Sequence, residues 1–326
     1  MIISKTPYRI SFFGGGSDYP QWFNKQKGAV LSATIDKYIY ISCRRLPKFF
    51  DHSYRIVWSK IENVNHINQI THRAVRESLK YLKFQEGLEI HYDGDLPARS
   101  GIASSSSFVV GLLHNLFKFK NKNISKKKLY EKSIHFEHNI LKEVVGIQDQ
   151  IAVTSGGFNE INFYKKKIKI NPIKINKTIK SLNKNLLLIY TGTQRTAQEI
   201  ASKYVNKLNS FDNFATLKEI VSHVGEAKQI LNSNHIDDFG KLLNESWNLK
   251  KSLSKAISNK KIDELYNLCL ENGALGGKLL GAGGGGFMII YLKHGLQKKF
   301  LKKYKKIINI PFKFESQGSN IILHEK

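Results

Sequence analysis

The stretch Asp95-Leu-Pro-Ala-Arg-Ser-Gly-Ile-Ala-Ser-Ser-Ser-Ser-Phe108 decides how the chain is read. Before it, residues 88–92 are apolar enough for a strand, which Asp93-Gly94-Asp95 stops. After it, Phe108, Val109, Leu112, Leu113, Leu116 and Phe117 recur at the helical period and bury one face. Strand, glycine-serine loop and apolar helix therefore follow one another. That order places unpaired backbone N–H groups and several hydroxyls at a helix N-terminus, where the dipole favours an anion such as phosphate. A plain Ser N-cap needs one hydroxyl, and four consecutive serines exceed that.

Two further glycine-rich segments flank this one at a distance. Gly14-Gly15-Gly16-Ser17-Asp18 follows a predicted strand and permits a close backbone approach to a ligand. It is not the dinucleotide fingerprint. Asp36 stands about twenty residues on, as that fingerprint wants, but residues 17–27 show no amphipathic helix and Pro20 is expected to break an early turn. A simple tight turn is the alternative. Leu280-Gly-Ala-Gly-Gly-Gly-Gly286 is five-sevenths glycine, and the apolar run Phe287-Met-Ile-Ile290 follows at once, which argues against a flexible linker. Lys278 is followed by Leu279, so there is no Walker A motif.

Composition narrows the partners. The chain has 326 residues with 52 basic and 26 acidic side chains, a net charge of +26. Such an excess suits anionic partners: nucleic acid, membrane lipid or phosphorylated small molecules. Only eight of the basic residues are Arg, and the abundance of Lys, Ile and Asn is equally the mark of a codon bias. Clustered Arg and exposed aromatics, the signs of a nucleic-acid-reading face, are not evident. No run of about 18 apolar residues predicts a membrane span. The start of the chain shows neither a cationic leader nor a small-residue cleavage site. Cys43 and Cys269 cannot build a disulfide framework or a Cys-based zinc site, so a cytoplasmic setting is expected.

The coarse order of elements is α+β in both halves, without strict βαβ alternation. Strands are expected near 2–13, 28–43, 54–58, 88–92, 158–175, 186–191, 287–292, 311–315 and 319–323. Helices are expected near 68–82, 101–117, 125–145, 194–208, 211–232, 237–256, 261–272 and 296–306. The polar interval 176–185 is the expected boundary between domains at 1–183 and 184–326.

Two acids stand out. Glu137 falls in the apolar stripe of Tyr130, Ile134, Leu141 and Val144. A carboxylate there needs a cation, either a salt-bridge partner or a divalent metal. Asp149 lies between Ile147 and Ile151 just after a helix break. His135 and His138 flank Glu137 without a third ligand at motif spacing and read as ordinary helix residues.

Taken together, these segments resemble the GHMP kinases, the family of galactokinase, homoserine kinase, mevalonate kinase and phosphomevalonate kinase. Pro7 to Tyr19, Pro97 to Ser106 and Lys278 to Gly286 match its three motifs, which span essentially the whole chain. The form F-F-G-G-G-S-D-Y-P, with Gly146-Ile-Gln-Asp-Gln150 and Tyr190-Thr-Gly-Thr-Gln-Arg195, is similar to the branch acting on D-glycero-D-manno-heptose 7-phosphate. The resemblance implies a ribosomal-S5-like N-terminal domain, a ferredoxin-like C-terminal domain and a site in the cleft between them. It implies transfer of a phosphoryl group from ATP, with Mg²⁺, to the anomeric hydroxyl of that phosphorylated heptose, with no nucleic-acid or membrane partner. Other family sugar kinases, of fucose or galactose type, and a basic S5-like nucleic-acid-binding protein are the alternatives.

By the same resemblance, Pro97, Ser100, Gly101, Ile102, Ala103, Ser104, Ser105 and Ser106 hold the ATP phosphates. Ser105 and Glu137 hold Mg²⁺, Asp149 is the catalytic aspartate, which either removes the hydroxyl proton or orients the nucleophile, and Arg9 offsets charge beside it. Gly16, Ser17 and Asp18 line the sugar site, and Gly283 and Gly284 close over the phosphates. Bidentate recognition favours Arg over Lys, so Arg195 is expected to grip the sugar's own phosphate, with Arg44 or Arg45 as second choices. Two positions depart from the family pattern. Arg99 replaces a glycine and either touches phosphate or faces solvent. Ala103 replaces the third loop glycine, and a slightly altered loop is expected.

Overall fold

The computed structural model describes residues 1–165, 167–192, 211–233 and 235–325. Alternating and continuous apolar runs open the chain as β1 (Ile2–Phe13), and the glycines after it turn the chain toward a short α1 (Pro20–Phe23). Pro20 starts that turn rather than breaking it, because a proline at the first helical position gives up an N–H that would be unpaired anyway. The strand expected near 28–43 is a single long strand, β2 (Gly28–Arg45). Then come β3 (Tyr54–Val57), β4 (Ile61–Val64), α2 (Arg73–Tyr81) and β5 (Leu88–Gly94). The length of β2 lets it take two partners on one side. Its first part, Gly28–Ala33, pairs with β6 (Phe158–Tyr164), and its last part, Ile39–Arg45, pairs with β5.

The first sheet runs β12–β1–β2–β5–β3–β4, with β12 being Asn320–His324, and β6 with β7 (Lys167–Ile173) branches from β2. The last strand of the chain thus lies beside the first, in antiparallel register. The central helix α3 (Ser104–Phe119) packs across β1 and β2. Asn115 fixes that packing: its Nδ2 donates to the carbonyls of Ile41 at 2.8 Å and Ile2 at 3.1 Å.

The helix expected over 125–145 is shorter and interrupted. It comprises α4 (Lys126–His135) and a π-helical turn, Phe136–Ile140, that ends at Leu141. Asp149 then lies in a helix that sequence periodicity does not reveal, α5 (Gln148–Ser155). The interval expected as a boundary folds as α6 (Lys177–Lys184), capped by Asn176, whose side chain accepts from Ile179 N at 3.0 Å.

The second sheet is antiparallel in the order β11–β8–β10–β9, comprising Ile308–Ile310, β8 (Leu186–Tyr190), β10 (Phe287–Tyr291) and Gly276–Leu279. Helices α7 (Phe211–Asn232), α8 (Asp237–Ser252), α9 (Lys260–Glu271) and α10 (His294–Lys303) complete it. One apolar cluster joins the two layers: Phe12 and Phe13 of β1 meet Phe239 of α8 at ring-centroid distances of 5.4 and 5.1 Å. Among the described residues no helix is long and apolar enough to cross a membrane, and Cys43 and Cys269 are buried free thiols.

Asn115→Ala leaves two sheet carbonyls without their buried donor. It should cost about 2 kcal/mol in urea unfolding, and a loss below about 0.5 kcal/mol would show that α3 is seated by apolar packing alone.

Candidate active site

Arg9 projects from β1 and is buried. Its Nε donates to Asp149 Oδ1 at 2.8 Å and its Nη2 to Oδ2 at 2.7 Å, a bidentate pair of the strong kind. Nη1 donates to the Gly101 carbonyl at 2.9 Å, and the Arg9 amide donates to the Ile102 carbonyl at 3.1 Å. One residue of β1 therefore ties the acid on α5 to the loop that precedes α3. Gln148 steadies the same helix end, since its Oε1 accepts from Ser11 Oγ at 2.7 Å.

Asp18 faces this pair from the glycine loop after β1. Its Oδ1 accepts from Gly16 N at 3.0 Å and its Oδ2 from Gln148 N at 3.3 Å. Burial and then the neighbouring Asp149 push the Asp18 carboxyl above its ordinary value. Gly146 leaves it room, because a Cβ there would stand 1.8 Å from Asp18 Oδ2. Ser17, expected to line the sugar site, is occupied otherwise. Its Oγ donates to the Gly14 carbonyl at 2.8 Å, and the Ala29 amide donates to it at 3.1 Å, so it braces the loop.

The helix after the phosphate loop starts on Ala103, not on a serine. Ala103 has φ +67° and offers no side-chain cap, so the first N–H groups of α3 carry none. The alanine keeps the left-handed conformation expected of glycine instead of altering the loop, at a cost of about 1–2 kcal/mol. Ser104 Oγ accepts from Arg99 N at 3.0 Å, and Ser100 Oγ donates to the Pro97 carbonyl at 2.6 Å, so both hydroxyls hold the loop's shape. The side chain of Arg99 is exposed.

Glu137 sits on the π-helical turn, fully buried. Its Oε2 accepts from Ser106 Oγ at 3.1 Å and from Gln150 Nε2. The hydroxyl beside it thus belongs to Ser106, while Ser105, one residue earlier on α3, is exposed. Glu137 Oε1 is buried with no hydrogen-bond partner. Desolvation, then Glu143, push this carboxyl up to about 8 against the pull of the Gln150 and Ser106 hydrogen bonds. An orphaned carboxylate oxygen beside a hydroxyl is a fitting seat for a hard cation. Among the described residues no group of three His, Cys, Asp or Glu could hold a metal by itself. Mg²⁺ is commonly held by one or two carboxylates and the oxygens of a bound phosphate.

The second glycine loop presses backbone to backbone on the first. A Cβ on Gly101 would lie 2.5 Å from the Leu280 carbonyl, and one on Gly281 would lie 2.5 Å from Gly101 Cα. The amide of Phe287 donates to the Ser100 carbonyl at 3.0 Å. Gly284 N donates to the Ile257 carbonyl at 2.9 Å, and Gly283 packs on the same residue, which anchors the rest of the loop.

The structure thus gathers Arg9, Asp18, Asp149, Glu137 and residues 100–106 with the glycine loop 281–286. It removes Arg44 and Arg45 from the set. Thr34 of β2 pairs with Arg9, and Arg44 lies ten residues further along that strand, roughly 30 Å away. Arg44 and Arg45 are committed instead to Glu89 and Glu86 at 2.5 and 2.8 Å. Arg195 lies outside the described residues. Sequence reasoning passed over Gln148 as a brace and Lys250, whose Nζ donates to the Gly281 carbonyl at 2.5 Å. A lysine among 44 gives no signal of its own.

In the metal-free protein the raised Glu137 means that the folded state holds a proton the unfolded state releases. Its contribution to stability is complete below about pH 4.5 and is lost as pH rises toward about 8. Between pH 5 and 7, Glu137→Gln should flatten the pH dependence of urea unfolding by up to about 1.4 kcal/mol per pH unit. Parallel curves for the two proteins would show that Glu137 titrates normally.

Comparison with known proteins places one family along the chain. A family model for the GHMP kinases N terminal domain matches residues 65–157, and one for the GHMP kinases C terminal domain matches residues 227–306. The chain is 29% identical to D-glycero-alpha-D-manno-heptose 7-phosphate kinase of Campylobacter jejuni, over 94% of this chain and 93% of that protein. It is 25% identical to a galactokinase of Pyrococcus furiosus, over 88% of each. Among solved structures, a D-glycero-D-manno-heptose 1-phosphate kinase from Bacteroides thetaiotaomicron superposes with a TM-score of 0.80 at 19% identity over the whole of both chains. Mevalonate kinase of Methanococcus jannaschii gives 0.72 at 22% identity, covering 96% of this chain and 98% of that one. Matched by the N-terminal and the C-terminal family models, which together span more than half of it, the chain belongs to the GHMP kinases.

Proposed function

We propose that the chain transfers the γ-phosphoryl group of ATP to the anomeric hydroxyl of D-glycero-D-manno-heptose 7-phosphate, giving the 1,7-bisphosphate. The observation that carries the reading is the Asp18–Asp149–Arg9 constellation at the mouth of the phosphate loop, in a chain similar along nearly its whole length to a kinase named for that sugar. Residues 1–183 form the ATP-binding part and 184–326 the second part, with β12 returning to the first sheet.

In this reading the uncapped N–H groups at the start of α3 receive the ATP phosphates. Asp149 Oδ accepts the proton of the attacking hydroxyl or aligns it; transfer through a loose transition state asks for little base strength. Arg9 holds that carboxylate in one orientation and stabilises its charge. Asp18, buried and less acidic than usual, accepts or donates to sugar hydroxyls. Ser106 and Glu137 would hold Mg²⁺, which supplies charge neutralisation at the phosphates when bound. The backbone of the loop 281–286 limits water access from the other side.

The same constellation would serve a fucose- or galactose-type kinase, and fucokinase and galactokinase relatives match at 24% and 25% identity. An ADP-release assay across sugars with and without a terminal phosphate separates the readings. Heptose 7-phosphate should give a kcat/KM at least about tenfold above every unphosphorylated sugar, with a new anomeric phosphate resonance in the ³¹P spectrum. A preference for free fucose or galactose would overturn the assignment of the acceptor.

A further inference from the structure

The phosphate loop offers little positive charge. Residues 97–107 contain no lysine, and their one cation, Arg99, is exposed. Arg9 is already committed to Asp149 and Gly101. Phosphoryl transfer is helped chiefly by preorganised positive charge at the oxygens of the moving group, so a further cation is wanted near the junction of the two glycine loops.

Two lysines stand there. Lys278 of Gly276–Leu279 (β9) is 4% exposed, and its Nζ donates to the Phe12 carbonyl of β1 at 2.7 Å. Lys250, in the last turn of α8, donates from Nζ to the carbonyls of Leu279 at 3.2 Å and Gly281 at 2.5 Å. Among the described residues neither has a carboxylate partner within ion-pair distance. A buried ammonium without a counter-ion costs several kcal/mol, which an arriving anion would offset. The two differ in reach. Lys278 is closed off and ties the second sheet to β1. Lys250 is partly exposed, and its ammonium has three donors of which two are used. It grips Gly281, the residue whose Cα lies against Gly101 of the phosphate loop.

We infer that Lys250 is the cation that meets the γ-phosphoryl group, holding the second glycine loop with two N–H donors and a phosphate oxygen with the third. The inference rests on ATP-dependent transfer at this site and is independent of which sugar accepts the group. Burial, then the charge of Arg9, holds the Lys250 amine down at about 7 in the free protein. The charged group that acts on it is Arg9 from β1, and burial, then Lys250 and Arg9, hold the neighbouring Lys278 amine well below its ordinary value. An approaching phosphate counters both effects and draws the amine into its charged form. Lys278 is then a positioning residue, carrying the β9 end of the loop against the end of β1.

The test separates charge from the hold on the loop. Lys250→Gln keeps N–H donors for the Leu279 and Gly281 carbonyls but removes the charge, whereas Lys250→Arg keeps the charge. Affinities for a non-hydrolysable ATP analogue and for ADP are measured by calorimetry, with melting temperatures alongside. Lys250→Gln should weaken the ATP analogue at least about tenfold, leave ADP within about twofold and melt within a few degrees of the wild type. Lys250→Arg should restore most of the loss. With the preferred acceptor, kcat of Lys250→Gln should fall about 10²-fold or more, with the acceptor's KM little changed. Equal losses for both nucleotides, or none, would overturn the role of Lys250 while leaving the kinase reading intact. A wild type that binds neither nucleotide would overturn both.

Discussion

The site depends on one guanidinium. Arg9 reaches the Asp149 carboxylate with two of its nitrogens and the Gly101 carbonyl with a third. Its own amide holds the next carbonyl of the same loop. A single strand residue thereby sets the distance between Asp149 and the loop before α3. Arg9 is buried while Asp149 keeps about a quarter of its side chain exposed, so the pair joins the interior to the open side of this junction.

The glycines follow from that constraint. To bring the second sheet's loop onto the phosphate cradle, backbone must meet backbone, and side chains at Gly101, Gly281 and Gly286 would occupy the contact. Gly286 shows it most plainly: a Cβ there would stand 2.2 Å from the Ser100 carbonyl. At these loops the two halves of the chain meet through peptide groups, reinforced by Phe287 N on Ser100 O and by lysine Nζ groups on carbonyls of neighbouring elements, beside the apolar cluster of Phe12, Phe13 and Phe239. Arg99 and Ala103 are the non-glycine residues of the loop before α3 that take a left-handed backbone, at φ +57° and +67°.

Much of this was legible in the chain. The strand, the glycine-serine loop and the apolar periodicity of α3 were readable because each rests on local pattern, and the long helices of the second half followed their apolar period. What was hidden depends on contacts distant in sequence. The strand Gly276–Leu279 begins with two glycines, a weak strand signal. Yet side chains there would strike the Gly240 carbonyl at 2.1 Å and the Ile289 carbonyl at 2.4 Å. The polar segment before β8 looked like a linker because only Ile179 and Leu182 of α6 are buried. The sequence reading paired Ser105 with Glu137, whereas the π-helical turn brings Glu137 to the hydroxyl of Ser106. The positive charge that first suggested nucleic acid is mostly solvated lysine, and its two informative members, Lys250 and Lys278, are marked by their Nζ contacts with backbone carbonyls distant in sequence, which composition does not show.

If Arg9 and Asp149 act as one unit, their removal is not additive. A double-mutant cycle of Arg9→Met and Asp149→Ala, read in kcat/KM for the preferred acceptor, measures that coupling directly. The double variant should be no slower than the slower single variant, within about a factor of three. Losses that multiply across the two changes would contradict the coupled centre and place the two residues in separate roles.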